Sequence, residues 1–160
     1  MRSLARFLII LVLVVWVGGI IFFSAVVAPA LFCILPKPEL AATVVGASLR
    51  ALHLIGVVCG AFFLVLTFLV SLEKIRAVRA LVMAMVLLTA ISQFVVMPKM
   101  QHIRDLVGGS IEALPPKDLG RAAFDRLHQF SVGLEGATLI AGLAVIGFIS
   151  QGLKEEARPQ

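Results

Sequence analysis

Four long stretches with almost no charged residues constrain this 160-residue chain more than any other feature. The first three contain no Lys, Arg, Asp or Glu, and the fourth contains Glu135 as its one charged residue. A helix needs about 20 apolar residues to cross the hydrocarbon core of a bilayer. The stretches meet that requirement and run over residues 7–36, 51–72, 80–98 and 127–153.

The composition argues against a soluble or disordered chain. Hydrophobic residues make up 61% and charged residues 14%, whereas soluble proteins contain about 45–50% apolar and about 25% charged residues. A soluble domain of this size would leave too much apolar surface in water. The net charge of +5 comes from basic residues between the apolar stretches, which indicates contact with lipid headgroups and not with nucleic acid. The expected fold is an all-α, integral membrane four-helix bundle.

Helical patterns continue beyond three of the apolar stretches. Pro38 indicates a helix start well before the second stretch, and Ile103 continues the helical pattern after the third. We therefore expect helices 2–4 to extend beyond the membrane and to form a polar helical cap from residues 37–50 and 99–126. The membrane helices themselves are predicted at about 7–30, 51–72, 80–98 and 127–150.

Basic residues predict the orientation of the chain. In this topology each side of the membrane carries seven Lys or Arg residues of the 14. The short turn with Lys74, Arg76 and Arg79 decides between the sides, because short basic loops carry most of the topology signal. Both termini are therefore predicted to be cytoplasmic, with the cap on the non-cytoplasmic side. The first stretch is longer than a signal peptide core of about 7–15 residues, so we expect a retained helix in a bacterial inner membrane.

Glu135 is the residue that a membrane environment makes most informative. A charged carboxylate facing lipid costs about 2.5 kcal/mol or more, so Glu135 is expected to face the bundle interior. Together with Gln93 it predicts an intramembrane polar site. Two interpretations stay open: a proton or cation site, or a protonated acid that only forms a hydrogen bond with Gln93, Thr89, Ser92 or Ser24.

Metal or haem binding is an alternative interpretation of the soft and basic side chains. Thiolate, thioether and imidazole groups suit Cu(I), and the alternating topology brings Met97, Met100, His102 and Cys33 toward one membrane surface. His53 and His128 form the pair that could ligate haem between facing helices. Met and Cys also occur as ordinary interior residues, and the sequence lacks HxxxH and CxxC spacings. Neither haem nor copper is therefore the favoured cofactor.

Small residues predict close packing between helices. Gly18 and Gly19 follow Trp16 in the first helix, and Gly133 and Ala137 lie one turn apart in the fourth. Rows of small residues let membrane helices approach closely. Pro29 is expected to kink or end the membrane part of the first helix.

Several segments together resemble one family of membrane proteins. The segments are Trp16–Gly19 with Ala28–Phe32, Leu49–Leu54, Met97–Met100, and Phe124–Ser131 with the letters FDRLHQFS. This pattern is similar to the family named domain of unknown function 4149, the transmembrane protein 205-like family. The first helix has a fainter likeness to copper-resistance D-like membrane proteins. The resemblance implies a role in transport or resistance, since eukaryotic members are associated with resistance to platinum drugs. This chain has Glu135 at a position where the resemblance leads us to expect a neutral polar residue.

These observations favour three functions and do not predict an enzyme. No phosphate-binding loop, GxSxG or HExxH motif is present in the sequence, which argues against the corresponding enzyme classes. The first hypothesis is a non-enzymatic transport or resistance protein with an internal polar site at Glu135. The second is a haem- or copper-binding protein using His53 and His128. The third is an accessory subunit of a larger membrane complex. As a transporter the chain is expected to form a homo-oligomer or join a larger complex, because four packed helices leave little room for a path.

Overall fold

The computed structural model describes residues 2–70, 74–108, 110–111 and 113–156. All regular secondary structure in these ranges is helical, which confirms the predicted all-α fold. The elements in chain order are α1 (Arg2–Phe22), a first π-helical segment (Phe23–Val27), α2 (Ala28–Ile34), α3 (Pro38–Leu66), α4 (Ile75–Ile91), a second π-helical segment (Ser92–Val96), α5 (Met97–Leu106) and α6 (Leu119–Glu156).

Four continuous helical stretches in this described part of the chain are long and apolar enough to cross a membrane. Their outer faces carry large apolar side chains, such as Val58 and Ile140, which are 68% and 70% exposed. Such continuous apolar surface is stable against lipid and not against water. The chain is therefore a multi-pass membrane protein. The four stretches are Ser3–Ile34, Pro38–Leu66, Ile75–Leu106 and Leu119–Gln151.

Two of these stretches continue through a proline by way of a π-helical segment. In each, the residue before the proline donates its backbone N–H to a carbonyl five residues back. Pro29 and Pro98 have no N–H, and their rings crowd the preceding turn of a regular α-helix. The wider π turn makes room for the ring, and the helix stays continuous. The first stretch consequently continues past Pro29 to Ile34 and does not end at the proline.

Three helices extend well outside the predicted membrane spans. α3 begins at Pro38, α5 ends at Leu106 and α6 begins at Leu119. Much of the expected cap, residues 37–50 and 99–126, is therefore helical and continuous with the membrane-crossing helices. The side of the membrane on which this extension lies stays a prediction.

α3 differs from its predicted span at its other end. It ends at Leu66, whereas the apolar stretch suggested 72. The Arg79 guanidinium donates to the Thr67 hydroxyl and to the Thr67 carbonyl, each over 3.0 Å. These hydrogen bonds satisfy polar groups at the helix terminus. Residues 71–73 lie outside the described ranges.

The helices form a ring in which each packs against two neighbours. α1 packs against α3 and α6, and α4 packs against the same two helices. The order of the helices around this ring is that of an up-and-down bundle, the topology that short connections favour. All four stretches contribute buried apolar side chains to the centre, among them Ile9, Trp16, Phe63, Val82, Met85 and Val145.

Trp16 determines how closely α1 and α3 approach. Its side chain is 1% exposed, and the indole ring lies against Gly56 and Gly60, one turn apart on α3. A Cβ built on Gly60 would lie 2.9 Å from Trp16 Cζ3 and would also overlap Val86. The glycines of α3 thus provide the space for the indole ring.

The small residues noted in the sequence do not all pack within the chain. A Cβ built on Gly19 would lie 2.9 Å from Leu52 Cδ1, which shows a close approach. Gly18 and Gly133 are exposed and have no atom within 4 Å of a built Cβ, and Ala137 is exposed as well. The row on α6 therefore faces outward and does not form the packing surface that we expected inside the bundle.

The α2–α3 and α5–α6 connections lie together at one end of the bundle, which we call the cap end. Ser110 Oγ donates to Glu39 Oε1 over 2.7 Å and joins the second connection to the start of α3. The Asp118 carboxylate accepts hydrogen bonds from the backbone N–H groups of Gly120 and Arg121 at 2.7 and 3.1 Å. This N-cap satisfies donors that the first turn of α6 would otherwise leave unpaired.

The packing around Trp16 generates a stability prediction. We expect Gly60→Ala to destabilise the protein by about 1–3 kcal/mol, because the added methyl group overlaps the indole ring and Val86. Thermal unfolding of the purified protein in mild detergent measures the effect. Gly18→Ala is the matched control, since its methyl group enters open space, and we expect a change within about 0.5 kcal/mol. Equal effects of the two substitutions would contradict this account of the packing.

Candidate functional site

Three polar side chains from three helical elements meet inside the bundle. His53 is on α3, Gln93 is on the second π-helical segment and Glu135 is on α6. His53 Nδ1 lies 3.2 Å from Gln93 Oε1, and His53 Nε2 lies 3.1 Å from Glu135 Oε2. The imidazole ring therefore bridges an amide and a carboxyl group. We call His53, Gln93 and Glu135 the polar triad.

The polar triad lies about midway along the membrane-crossing helices. Glu135 is the middle residue of Leu119–Gln151, and His53 is one residue past the middle of Pro38–Leu66. His53 is 1% exposed, Gln93 is 8% exposed, and the Glu135 side chain is 16% exposed. An ionisable group at this depth is costly when it faces lipid. The contact with His53 gives the carboxyl group a partner inside the protein.

Helical periodicity brings Gln93 to the inner face of its helix. Buried positions recur every three or four residues at Met85, Thr89, Ser92, Gln93 and Val96, the spacing of one helix face. Packing of this stripe against α3 and α6 therefore places the amide in the interior. The π-helical segment that carries it is of the kind often found at functional sites.

A second polar contact lies beside the polar triad. Ser92 Oγ and Ser131 Oγ are 3.3 Å apart, and both serines are buried. Ser92 directly precedes Gln93, and Ser131 lies one turn before Glu135 on α6. The serine pair thus joins two of the three elements of the polar triad, the second π-helical segment and α6, and helps to keep them in register.

The contacts of His53 restrict where the protons of the polar triad can lie. An amide oxygen only accepts, so the contact of Gln93 Oε1 with His53 Nδ1 requires a proton on Nδ1 in this orientation of the amide. A proton shared between His53 Nε2 and Glu135 Oε2 would then make the pair neutral, as imidazolium with carboxylate or as imidazole with carboxylic acid.

The structure places the predicted polar-site residues in a different arrangement from the one expected. Gln93 and Glu135 each contact His53, which the sequence suggested only as a possible haem ligand. The signal that could have added His53 to this site is its position in an apolar stretch, where a polar side chain needs a partner inside the protein.

The two histidines proposed as haem ligands are in different environments. Both ring nitrogens of His53 already contact Gln93 and Glu135. His128 is exposed, and its ring stacks on Phe124 of the same helix with centroids 6.5 Å apart. A haem held by both histidines would require His53 to lose a contact. The haem interpretation gains no support from this geometry.

The residues of the alternative copper site lie on helices that pack against different neighbours. Cys33 is on α2, which packs against α3, whereas Met97, Met100 and His102 are on α5, which packs against α6. Cys33 and His102 are exposed. In the part of the chain that the structure describes, no three His, Cys, Asp or Glu side chains are close enough to bind one metal ion.

A double-mutant cycle tests the contact between His53 and Glu135. We expect His53→Ala and Glu135→Ala each to destabilise the protein by about 1–3 kcal/mol, because each leaves a buried polar partner unsatisfied. The double variant should lose less than the sum, with a coupling of about 0.5–3 kcal/mol. Unfolding in mild detergent measures all three. His128→Ala removes an exposed histidine and is the control, with an expected change within about 0.5 kcal/mol. Strict additivity of the two single substitutions in the double variant would exclude the contact.

The comparison with known proteins identifies the chain at the family level. The family model described as Domain of unknown function (DUF4149) matches residues 11–107, which include His53 and Gln93 but not Glu135. No curated protein and no solved structure matches the chain. Because the family match covers more than half of the 160 residues, this chain belongs to the DUF4149 family.

Proposed function

We propose that this protein binds and releases a proton at the polar triad as part of a transport or resistance function. The observation that carries the proposal is the buried His53 ring, which contacts Gln93 on one side and Glu135 on the other. Ionisable side chains inside membrane helices often mark proton or ion pathways. A histidine and a carboxyl group in contact can exchange a proton without either moving far.

The Gln93 amide makes two protonation states of the polar triad compatible with full hydrogen bonding. In the neutral state, Nδ1–H of His53 donates to the amide oxygen. When Nδ1 loses its proton, rotation of the amide by half a turn lets its NH₂ group donate to the free nitrogen. Nε2–H of His53 then donates to the Glu135 carboxylate. The pair gains one negative charge, and every buried polar atom of the contact keeps a partner.

This exchange gives a simple path for one proton. A proton that arrives at Nδ1 of His53 forms imidazolium, and the proton on Nε2 can move to Glu135 Oε2. The imidazole ring then remains neutral with its proton on Nδ1, and the carboxyl group holds the transferred proton. The number of protons and charges is conserved at each step. The ring thus relays a proton between the amide side and the carboxyl side.

The resemblance to the transmembrane protein 205-like family supports the transport or resistance part of the proposal. We further propose that the working form contains more than one copy, because four packed helices leave little room for a substrate path. The outward-facing row of Gly133 and Ala137 on α6 is compatible with close approach of another membrane helix. The polar triad would serve such an assembly as its internal proton site and not as an enzyme centre.

The proposed location is a bacterial inner membrane with both termini in the cytoplasm. The basic residues Lys74, Arg76 and Arg79 at the start of α4 support this orientation, because short basic segments between membrane helices tend to remain on the cytoplasmic side. The cap end would then lie on the non-cytoplasmic side. The polar triad would exchange protons with one of the two compartments.

The proton-binding proposal predicts that Glu135→Gln alters the response of the protein to pH. In the wild type we expect the ring ¹⁵N signals of His53 to change with pH as the polar triad binds or releases a proton. Glu135→Gln removes the carboxyl group while keeping its size and hydrogen bonding. We expect this variant to lose the shared-proton signature and the corresponding change of thermal stability with pH.

Glu39→Gln is the matched control for this experiment. It removes a carboxyl group at the cap end, where Glu39 contacts Ser110, and leaves the polar triad intact. The His53 signals of the control should follow those of the wild type. A wild-type pH profile that persists unchanged in Glu135→Gln would refute the proposed function.

A further inference from the structure

A shallow groove on the outside of the bundle, lined by both apolar and polar side chains, reaches Gln93 of the polar triad. Its lining combines side chains of α3, the second π-helical segment and α5. Four of these side chains are charged or able to form hydrogen bonds and lie toward the cap end: Arg50, Gln101, His102 and Asp105. Gln93 also lines the groove. The groove and the polar triad therefore share one residue.

The shared residue connects the groove directly to the histidine. The Gln93 amide contacts His53 Nδ1 at 3.2 Å and has part of its side chain on the groove. His53 itself is 1% exposed. Access to Nδ1 from outside the bundle thus passes the Gln93 amide. This is the nitrogen that gains and loses a proton in the proposed function.

The lining residues follow one face of the helix from the polar triad toward the cap end. Gln93, Pro98, Gln101 and Asp105 recur at spacings of three to five residues. Twelve residues separate Gln93 from Asp105, which corresponds to about 18 Å of helix. On α3, Arg50 lies one turn before His53 and therefore also on the cap side. The polar lining residues other than Gln93 therefore lie on the cap side of the groove.

The outer part of the groove differs from the lipid-facing surface. Val95, two residues after Gln93, is 46% exposed. Phe94 lines the groove next to Gln93, whereas a guanidinium, an imidazole and a carboxylate line it toward the cap end. Asp105 is held by Gln101, whose Nε2 donates to Asp105 Oδ1 over 2.8 Å. Groups of this kind retain water, whereas hydrocarbon would leave them unsatisfied.

We infer that the groove is a one-sided water route through which protons reach the polar triad from the cap end. This inference rests on the proposed function, because it names the path by which that site exchanges protons. Water in the groove would carry a proton to Gln93, and rotation of the amide would expose His53 Nδ1 to it. His102 and Asp105 at the outer part of the groove can exchange protons with bulk water. The side of the membrane opposite the cap end has no part in this exchange.

Cysteine accessibility tests the route. In a chain with Cys33→Ala and Cys59→Ala, we would introduce Gln93→Cys and treat sealed vesicles with a charged, membrane-impermeant methanethiosulfonate reagent. Such reagents react with the thiolate, which forms in water and not in hydrocarbon. Val95→Cys is the matched control on the same π-helical segment. We expect Gln93→Cys to react about tenfold faster or more than Val95→Cys.

The sidedness of labelling tests the direction of the route. His102→Cys reports which face of the vesicle corresponds to the cap end. Gln93→Cys should react when reagent is added on the same face as for His102→Cys, and not from the opposite face. Equal rates for Gln93→Cys and Val95→Cys, or reaction from the opposite face, would overturn the inference.

A second measurement uses the wild-type protein, so the route can be tested even if Gln93→Cys does not fold. Magnetisation transfer from water to the His53 ring N–H in the wild type should be detectable and should decrease in Gln101→Trp, whose indole blocks the groove. His53 signals that respond to pH without this transfer would contradict the route and leave the proposed function standing. Transfer from water to a His53 ring that does not titrate would instead contradict the proposed function.

Discussion

The structure depends on one constraint: hydrocarbon offers no hydrogen-bond partner to the polar groups inside the bundle. His53, Gln93 and Glu135 satisfy this requirement together, since the imidazole ring contacts the amide with one nitrogen and the carboxyl group with the other. The contact joins α3, the second π-helical segment and α6. It therefore links the rotations of these helices and holds an ionisable pair inside the bundle.

Two other features position neighbouring helices in the bundle. Gly56 and Gly60 accommodate the Trp16 indole between α1 and α3, and the buried serine pair joins the second π-helical segment to α6. The π-helical segments let two helices continue past their prolines without losing helical direction. The same segment that accommodates Pro98 carries Ser92 and Gln93 to the interior. The backbone geometry that accommodates Pro98 and the position of the polar site are thus linked through the same π-helical turn.

Much of the fold was predictable because hydrophobic length is a local property of the sequence. The four apolar stretches predicted four membrane helices, and their periodicity predicted helical extensions before residue 51 and after residue 98. The candidate site was predictable only in part. Glu135 and Gln93 were noted because ionisable and amide groups are unusual in apolar stretches, but His53 was considered only as a haem ligand. The residue that meets Glu135 depends on the relative rotation and position of α3 and α6, and spacing within one helix does not contain that information.

The sequence by itself determined the number of membrane-crossing helices and the presence of an acid among them, since both depend on composition along a single segment. Only the tertiary structure decided that His53 and not His128 meets Glu135, and that Trp16 packs on the glycines of α3. It also decided that Gly133 and Ala137 face outward. These outcomes depend on the relative rotation and depth of different helices. Packing and hydrogen bonding between residues far apart in the chain determine that arrangement.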